Sequence, residues 1–368
     1  MVESIKINKY IKKLSPYKIT SQDPWLIEDK KNVFKLDWNE GSFIPNIVKK
    51  RIKSLSKKYY LYNWYSDYSS FDLHATLAKY LDISINNVLS FPGSDNALES
   101  ICRCFLDPRD KVVIPVPTYD NFEVFAESCG AKLIKYKIEK PYKFNLSKLL
   151  NFSLKYKPKI IYLATPNNPC GYFINPKDIS IICKKFPKTL IICDQAYVEF
   201  AKYSDCKHLI NKFHNIIIVR TFSKAFSLAG IRLGYVIANN NLLKVLSKIR
   251  NGKNISMMSQ ILGISVIENI NKYDEWINSV NLLRKSTYNQ LLKLKLTAYK
   301  SHGNFILFEI NSSKFFLSYL KENYVYLRDK VKSTDGGIRL TITDKKSVKK
   351  FIELITKYIA KEENKFYF

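Results

Sequence analysis

Short apolar runs alternate with helical stretches between about Phe91 and Asn239, and this alternation constrains the fold more than any other feature. The runs that predict strands are Lys111 to Pro115, Ala131 to Ile138, Lys159 to Ala164, Leu190 to Cys193, Ile216 to Arg220 and Gly234 to Ala238. Strands that alternate with helices build a mostly parallel sheet covered by helices on both faces. The sequence therefore predicts an α/β fold.

The C-terminal third predicts a smaller α+β unit. Its expected elements are a long amphipathic helix from Tyr273 to Leu294, strands at Asn304 to Ile310 and Ile338 to Ile342, and a closing helix from Lys346 to Ala360. We expect the N-terminal segment to complete this unit. The predicted domains are thus residues 45–250, and residues 1–44 with 251–368. The junction from Leu242 to Gly252 has no Pro/Gly-rich linker, so we expect a continuous helix to join them.

The formal net charge of +28 over 368 residues would ordinarily suggest a nucleic acid or an acidic membrane surface as partner. The basic residues are spread along the whole chain, without a dense block or a recognised RNA-binding or zinc-finger spacing. The chain is also rich in Ile, Asn, Tyr and Phe, which is typical of an A/T-biased genome. We therefore expect neither a nucleic acid nor a membrane partner, although the charge is compatible with an acidic substrate.

The cysteines and histidines argue for a reducing compartment and against a metal site. Seven cysteines without a CxxC pair, together with a polar N-terminus, predict unpaired thiols and a cytoplasmic protein. No apolar stretch approaches the roughly 20 residues of a membrane span. The four histidines show no metal-ligand spacing, so no metal is expected.

One lysine occupies a position suited to chemistry. Lys224 lies in the segment TFSKAFSLAGIRLGY, just after the apolar run Asn215 to Val219. Ligands bind at strand ends in α/β sheets, and a lysine in such a crevice can lose its proton and act as an amine nucleophile. The alternative is an ordinary loop lysine. Because few residues separate this run from the next, Leu233 to Ala238, we expect the two strands to be antiparallel.

Other polar motifs also fall at predicted strand ends. In FPGSDN, Ser94 and Asp95 would present free amides at a helix N-terminus, which suits a phosphate but is also an ordinary cap. Tyr119 could stack on a planar ring or pack in the core. TPNNPCG, with Asn168, could simply form a turn, and Asp194 follows an apolar run, where a carboxylate needs a cation. An amine, a carboxylate, a phosphate cradle and an aromatic ring are what pyridoxal phosphate requires.

The order GSD, PTY, PNNP, DQAY and TFSKAFSLAGIR resembles the fold-type-I aminotransferases, and within them the histidinol-phosphate aminotransferase family. The resemblance extends to WNE at Trp38 to Glu40, SHGNF at Ser301 to Phe305 and GGIRLT ending at Thr341, and so covers nearly the whole chain. It implies a mixed, mostly parallel seven-stranded sheet with helices on both faces, a smaller α+β domain and pyridoxal 5′-phosphate as cofactor.

The same resemblance implies a role for each cofactor residue. Lys224 would bind the cofactor aldehyde and move the substrate proton, and Asp194 would pair with the ring nitrogen. Tyr197 and Asn168 would contact the phenolic oxygen, and Tyr119 would stack on the ring. The residues implied at the phosphate are Ser94, Asp95, Thr221, Ser223, Arg232 and, from a neighbouring subunit, Tyr65. The last of these implies a homodimer.

Substrate contacts are also implied by the resemblance. Arg339 would bind a substrate carboxylate, with a structural salt bridge as the alternative. Arg328 would bind a phosphate, with a local ion pair to the adjacent Asp329 as the alternative. Tyr17 and Asn39 would border the substrate. The segment Asn39-Glu40-Gly41-Ser42 departs from the family's NENP, so a smaller phosphorylated compound is as good a candidate as histidinol phosphate.

We therefore expect an aminotransferase that moves an amino group, with glutamate as the expected donor, to a small phosphorylated keto or aldehyde compound. The alternative is a pyridoxal-phosphate decarboxylase of an O-phospho amino acid, such as threonine phosphate or serine phosphate. Motifs do not separate the two, because the reaction depends on which bond at Cα stands perpendicular to the ring. A basic nucleic-acid-binding protein that has borrowed this fold is a third, weaker reading.

Overall fold

The computed structural model describes residues 6–15, 22–329, 334 and 336–365. The strands are β1 Phe34–Leu36, β2 Val88–Phe91, β3 Lys111–Val116, β4 Lys132–Lys137, β5 Ile160–Ala164, β6 Leu190–Asp194, β7 Ile216–Thr221, β8 Gly234–Ala238, β9 Thr297–Ala298, β10 Phe305–Glu309, β11 Val325–Leu327 and β12 Ile338–Thr341. The helices are α1 Asp23–Leu26, α2 Asn46–Leu55, α3 Tyr60–Asn63, α4 Phe71–Leu81, α5 Ser94–Phe105, α6 Asp120–Ser128, α7 Leu146–Tyr156, α8 Pro176–Lys185, α9 Asn240–Ser247, α10 Met257–Glu268, α11 Ile270–Lys293, α12 Ser313–Glu322 and α13 Lys345–Lys365.

A seven-stranded sheet forms the centre of the molecule, with the strand order β2-β8-β7-β6-β5-β3-β4. Strands β3 to β7 run parallel where they pair, while β8 is antiparallel to both β7 and β2. The predicted mixed, mostly parallel sheet is confirmed, as is the antiparallel pair that flanks Lys224. The short strand β2 was not among the predicted apolar runs, although the motif FPGSDN was placed at the end of a strand, where β2 ends.

Alternate side chains of the central strands enter two apolar layers, one on each face of the sheet. Along β7, Ile217 and Val219 belong to one layer, and Ile216 and Ile218 belong to the other. A strand buried on both faces reads as a continuous apolar run, which is why these runs were recognisable in the sequence. Polar side chains at the carboxyl ends of the strands are thereby held on a rigid base.

The C-terminal region forms a second sheet of the order β12-β10-β9, with antiparallel pairs. The N-terminal strand β1 pairs in parallel with β11 of the C-terminal region. The predicted limits of the two domains stay a prediction. Within the described residues, no helix is both long enough and apolar enough to cross a membrane.

The continuous helix predicted across Leu242 to Gly252 was wrong. Helix α9 ends at Ser247, and a short 3-10 turn over Gly252–Asn254 precedes α10. The reason is tertiary: Arg250 is buried and its guanidinium donates to the carbonyl oxygen of Ser90 at 2.7 Å, which draws the chain inward. The Asn251 side chain then caps the 3-10 turn.

Candidate active site

A cavity of about 460 Å³ opens at the carboxyl ends of the central strands. Most of the residues singled out in the sequence line it. These are Ser94, Asp95, Tyr119, Asn168, Asp194, Tyr197, Thr221, Ser223, Lys224, Arg232, Arg328 and Arg339. They come from positions far apart in the chain, and they meet because the carboxyl ends of parallel strands share one edge of the sheet.

Helix α5 and Arg232 form one end of the cavity. The helix begins at Ser94, directly after Gly93, whose φ of +86° favours glycine. A Cβ atom on Gly93 would lie 2.6 Å from Nη2 of Arg232, so the glycine lets the guanidinium approach the first turn. Thr221 and Ser223 lie beside it, with their hydroxyl oxygens 3.0 Å apart. Free amides, hydroxyls and a guanidinium together form a site for a phosphate.

Tyr119 forms a wall of the cavity next to this end. Its hydroxyl donates to Oδ1 of Asp95 at 2.8 Å and accepts a hydrogen bond from Asn121 at 3.0 Å. These two contacts fix the direction of the ring. Asn121, which also lines the cavity, was not recognised in the sequence.

Lys224 lies on the turn after β7 and points into the cavity. Its Nζ donates to the carbonyl oxygen of Trp38 at 2.7 Å. Burial and the nearby charge of Arg339 together lower the pKa of Lys224 to about 8, while Glu40 and Asp95 act in the opposite direction. A lysine with this pKa has a substantial neutral fraction near physiological pH, as an amine nucleophile and proton carrier needs.

Asp194 ends β6 and is buried. Its Oδ2 accepts a hydrogen bond from the Tyr162 hydroxyl at 2.7 Å, and its Oδ1 accepts one from the amide of Ala196 at 3.1 Å. Burial raises the pKa of Asp194 to about 6, although both hydrogen bonds favour the ionised form. A carboxylate in this setting needs a cation, and it lies on the same cavity as Lys224.

Tyr197, Asn39 and Thr341 form a hydrogen-bond network behind the cavity. The Asn39 amide donates from Nδ2 to the Tyr197 hydroxyl at 2.9 Å, and the Thr341 hydroxyl donates to Oδ1 of Asn39 at 3.1 Å. Asn39 is fully buried and does not line the cavity, which differs from the substrate-facing position expected for it. Burial raises the pKa of Tyr197 to about 12, so its hydroxyl stays protonated.

Arg328 and Arg339 lie side by side at the cavity. Their backbones exchange two hydrogen bonds, of 3.2 and 3.1 Å, across an antiparallel bridge. The Arg339 guanidinium also donates to Oδ1 of Asn168 and to the carbonyl oxygen of Asp37. Directly opposed residues have Cβ atoms about 5 Å apart, so the two cations act on one small region.

The predicted Tyr65 lies on the surface of the molecule. It does not line this cavity, and its side chain is largely exposed. Tyr17 falls outside the described residues. Two tryptophans that the sequence reading did not assign, Trp25 and Trp38, do line the cavity. The signal for Trp38 was its place in WNE, beside the predicted Asn39.

Comparison with known proteins agrees with this geometry. The sequence profile of the family "Aminotransferase class I and II" matches residues 30–355. The chain belongs to this family. A dihydroxyacetone phosphate transaminase of Campylobacter jejuni is 31% identical over 364 residues, which cover 97% of this chain and 98% of the relative. A histidinol-phosphate aminotransferase of a Thermoanaerobacter species is 33% identical over 314 residues, covering 84% of this chain and 88% of the relative.

The fold is shared with solved aminotransferases. The crystal structure of histidinol-phosphate aminotransferase from Sinorhizobium meliloti in complex with pyridoxal-5′-phosphate superposes with a TM-score of 0.87 at 21% identity. The match covers 98% of this chain and all of the other. The chain is therefore a fold-type-I aminotransferase, similar to the histidinol-phosphate aminotransferases, and the predicted family and cofactor are confirmed.

The residues present fit pyridoxal 5′-phosphate. A lysine of lowered pKa suits its aldehyde, the buried carboxylate of Asp194 suits its ring nitrogen, and the first turn of α5 with Arg232 suits its phosphate. Any residue larger than glycine at position 93 would place atoms in the space that the Arg232 guanidinium occupies. The enzyme is a pyridoxal-phosphate-dependent aminotransferase.

Proposed function

We propose that the enzyme transfers the amino group of glutamate to a three-carbon phosphorylated ketone such as dihydroxyacetone phosphate. The observation that carries this proposal is the direct pairing of Arg328 with Arg339 at the cavity that holds Lys224. Support also comes from the Campylobacter relative, whose named substrate is dihydroxyacetone phosphate and which matches almost the full chain.

The paired arginines favour a short acceptor. Because Arg328 and Arg339 are directly opposed, a phosphate bound by Arg328 and a carboxylate bound by Arg339 would lie within a few ångströms of each other. Guanidinium groups bind both anions in a bidentate manner. Glutamate would use Arg339 for its α-carboxylate in the first half-reaction, and the phosphorylated ketone would use Arg328 in the second.

The tryptophans favour a small acceptor as well. The cavity volume of about 460 Å³ is at the lower end of the range for ligand sites, and it has to hold both the cofactor and the substrate. Trp38 is held by Lys35, whose Nζ lies 3.9 Å from the centroid of the indole ring. A fixed indole at the wall leaves less room for an imidazole ring than for a hydroxymethyl group.

Each catalytic step has a residue suited to it. When bound, pyridoxal phosphate acts as an electron sink for the bond broken at the substrate α-carbon. Lys224 would hold the cofactor and, once released by the substrate, carry the proton to and from that carbon, as its pKa of about 8 allows. Its amine would be steadied by the Trp38 carbonyl oxygen, which already accepts its hydrogen bond.

The remaining residues of the site would orient the cofactor and polarise its ring. Asp194 would keep the ring nitrogen protonated, and Tyr197 with Asn168 would donate to the phenolic oxygen. Tyr119 would limit the tilt of the ring, since its own hydroxyl is tied to Asp95. The phosphate would be held by the first turn of α5, with the contacts supplied by Ser94, Asp95, Thr221, Ser223 and Arg232.

We also propose a homodimer in which Tyr65 reaches the cofactor phosphate of the partner subunit. The support is an aromatic surface over residues 59–71, in which several large rings are exposed. They are Tyr59, Tyr60, Tyr62, Trp64, Tyr65, Tyr68 and Phe71. A dense exposed apolar patch of this kind marks an interface.

Mixing two inactive variants tests the composite site. Lys224→Ala lacks the lysine and Tyr65→Ala lacks the phosphate contact, so a mixed dimer would contain one intact site. Refolding the two together should restore activity that neither shows alone. If the mixture stays inactive although mixed dimers are detected by mass spectrometry, Tyr65 does not complete the partner's site.

The domain limits and the compartment complete the proposal. We propose that residues 45–250 form the cofactor domain and that residues 1–44 and 251–368 form the smaller domain. We also propose a cytoplasmic location, which is supported by the seven unpaired cysteine thiols.

The substrate assignment is tested with the glutamate-loaded enzyme. Dihydroxyacetone phosphate should return the cofactor to the aldehyde form, followed by visible absorbance, with a kcat/KM at least tenfold above that of imidazole-acetol phosphate. The reverse order would overturn the three-carbon assignment. Failure of glutamate to convert the cofactor to its amine form, together with CO₂ release from a phospho amino acid, would favour the decarboxylase alternative.

A further inference from the structure

A tyrosine within the central sheet makes a hydrogen bond with the carboxylate of Asp194, which lines the cavity. Tyr162 lies on β5 and is completely buried, and its hydroxyl donates to Oδ2 of Asp194 at 2.7 Å. The register of β5 and β6 pairs Tyr162 with Ile192 and Ala164 with Asp194. Tyr162 and Asp194 are therefore diagonal neighbours on the same face of the sheet, where a long side chain can span the gap.

The tyrosine ring itself is fixed in place. Phe122, from α6, stacks on it with the ring centroids 3.9 Å apart and the planes 9° from parallel. Because the ring is held by this stacking, the direction of the hydrogen bond from its hydroxyl to Asp194 is fixed. The other oxygen of Asp194 accepts from the Ala196 amide, so two donors define the plane of the carboxylate.

We propose that Tyr162 is a positioning residue for catalysis: it orients the Asp194 carboxylate and keeps it ionised toward the cofactor's ring nitrogen. This inference rests on the role proposed above for Asp194. Packing alone does not require the hydroxyl, since phenylalanine would fill the same space. A buried hydroxyl needs a partner, and here that partner is the carboxylate that faces the cavity.

The charge balance around Asp194 explains why a donor is needed there. Burial raises the pKa of Asp194, and the nearby carboxylate of Asp95 raises it further. The hydrogen bonds from Tyr162 and Ala196 lower it, as does the charge of Lys224. Cys193 and Tyr197 also interact with Asp194. The charge of Lys224 would change when this lysine binds the cofactor. The Tyr162 hydroxyl would still donate to the Asp194 carboxylate throughout the reaction.

The variant Tyr162→Phe removes only the hydroxyl. Tyr235→Phe is the matched control, because Tyr235 is equally buried in the same sheet, on the layer facing away from Asp194. Both variants would be loaded with pyridoxal phosphate labelled with ¹⁵N in the ring, and the nitrogen shift would be followed by NMR from pH 6 to 10. Without this donor the Asp194 carboxylate binds a proton more readily, so the shared proton should move toward Asp194 and the ¹⁵N shift of Tyr162→Phe at pH 7 should move toward that of an unprotonated ring nitrogen.

The control should titrate like the parent enzyme. We also expect kcat of Tyr162→Phe to fall about tenfold, with little change in KM for glutamate. The same substitution made in an Asp194→Asn background should have no further effect on kcat, because its action passes through the carboxylate. An additive effect in that background, or an unchanged ¹⁵N titration in Tyr162→Phe, would overturn the proposal.

The comparison in the Asp194→Asn background also identifies an effect of poor folding. If Tyr162→Phe lowered kcat only by damaging the fold, it would lower kcat in that background as well. The NMR readout does not depend on the acceptor. If the proposed role of Asp194 is wrong, the parent enzyme itself will show an unprotonated ring nitrogen at pH 7. That result is distinct from a parent with a protonated nitrogen and an unaffected Tyr162→Phe.

Discussion

Replacement of Asn39 tests the network that supports the site. Asn39 has a φ of 55°, in the left-handed region that glycine and asparagine tolerate best, and its side chain makes hydrogen bonds with Tyr197 and Thr341. Each lost hydrogen bond costs about 1 kcal/mol, so Asn39→Gly should lower the free energy of unfolding by about 2 kcal/mol. Asn39→Ala should cost about 3 kcal/mol, because alanine adds about 1 kcal/mol of backbone strain.

Urea unfolding of the cofactor-free chain at one fixed protein concentration would measure these differences, with circular dichroism and fluorescence compared to check for a single transition. Omitting the cofactor avoids a contribution from binding. Asp82 supplies the control: it also has a left-handed φ of 54°, but its position is exposed at the end of α4. Asp82→Gly should be almost neutral, and Asp82→Ala should cost about 1 kcal/mol.

Two outcomes would refute this reasoning. If Asn39→Gly is as stable as the parent, the contacts with Tyr197 and Thr341 do not stabilise the fold. If Asn39→Ala and Asn39→Gly are equally stable while the Asp82 pair differs, the backbone at Asn39 is not left-handed in solution.

Three further predictions concern the phosphate, the substrate and pH. Gly93→Ala should weaken cofactor binding at least tenfold in a fluorescence titration, because the new methyl group would meet Arg232; unchanged affinity would contradict the cradle. Trp38→Ala should raise kcat/KM for imidazole-acetol phosphate relative to dihydroxyacetone phosphate, and an unchanged ratio would show that the indole is not a size filter. Burial raises the pKa of Glu199 to about 7, so the stability it contributes is present below about pH 4.5 and is lost as the pH rises through 7. In urea titrations at pH 5 and pH 8, the free energy of unfolding of the parent should fall by up to about 3 kcal/mol more than that of Glu199→Gln. An equal change in the parent and the variant would contradict this prediction.

The sequence was sufficient for features that depend on local pattern. Strands such as Ile216–Thr221 are buried on both faces, and their continuous apolar runs made them recognisable. Polar residues at the ends of such runs converge because parallel strands share an edge, which is why Lys224 and Asp194 could be placed on one cavity before the structure was known. The helix at Ser94 followed from its turn and cap residues.

The sequence was insufficient where a side chain's role depends on tertiary register. Tyr162 reads as one more core residue of an apolar strand, and only the pairing of β5 with β6 brings its hydroxyl to Asp194. Asn39 adjoins the substrate loop in sequence, but its amide turns inward to Tyr197. The break before Gly252 likewise depends on Arg250 reaching a distant carbonyl oxygen, for which the local sequence carries no signal.

The central claim is that Lys224 binds the cofactor, and a covalent label tests it most directly. The holoenzyme would be reduced with borohydride, digested and analysed by mass spectrometry to locate the pyridoxyl group. We predict one pyridoxyl group per chain, on the peptide that contains Lys224, and no label in Lys224→Ala. A pyridoxyl group fixed at a different lysine in the parent enzyme would contradict the account.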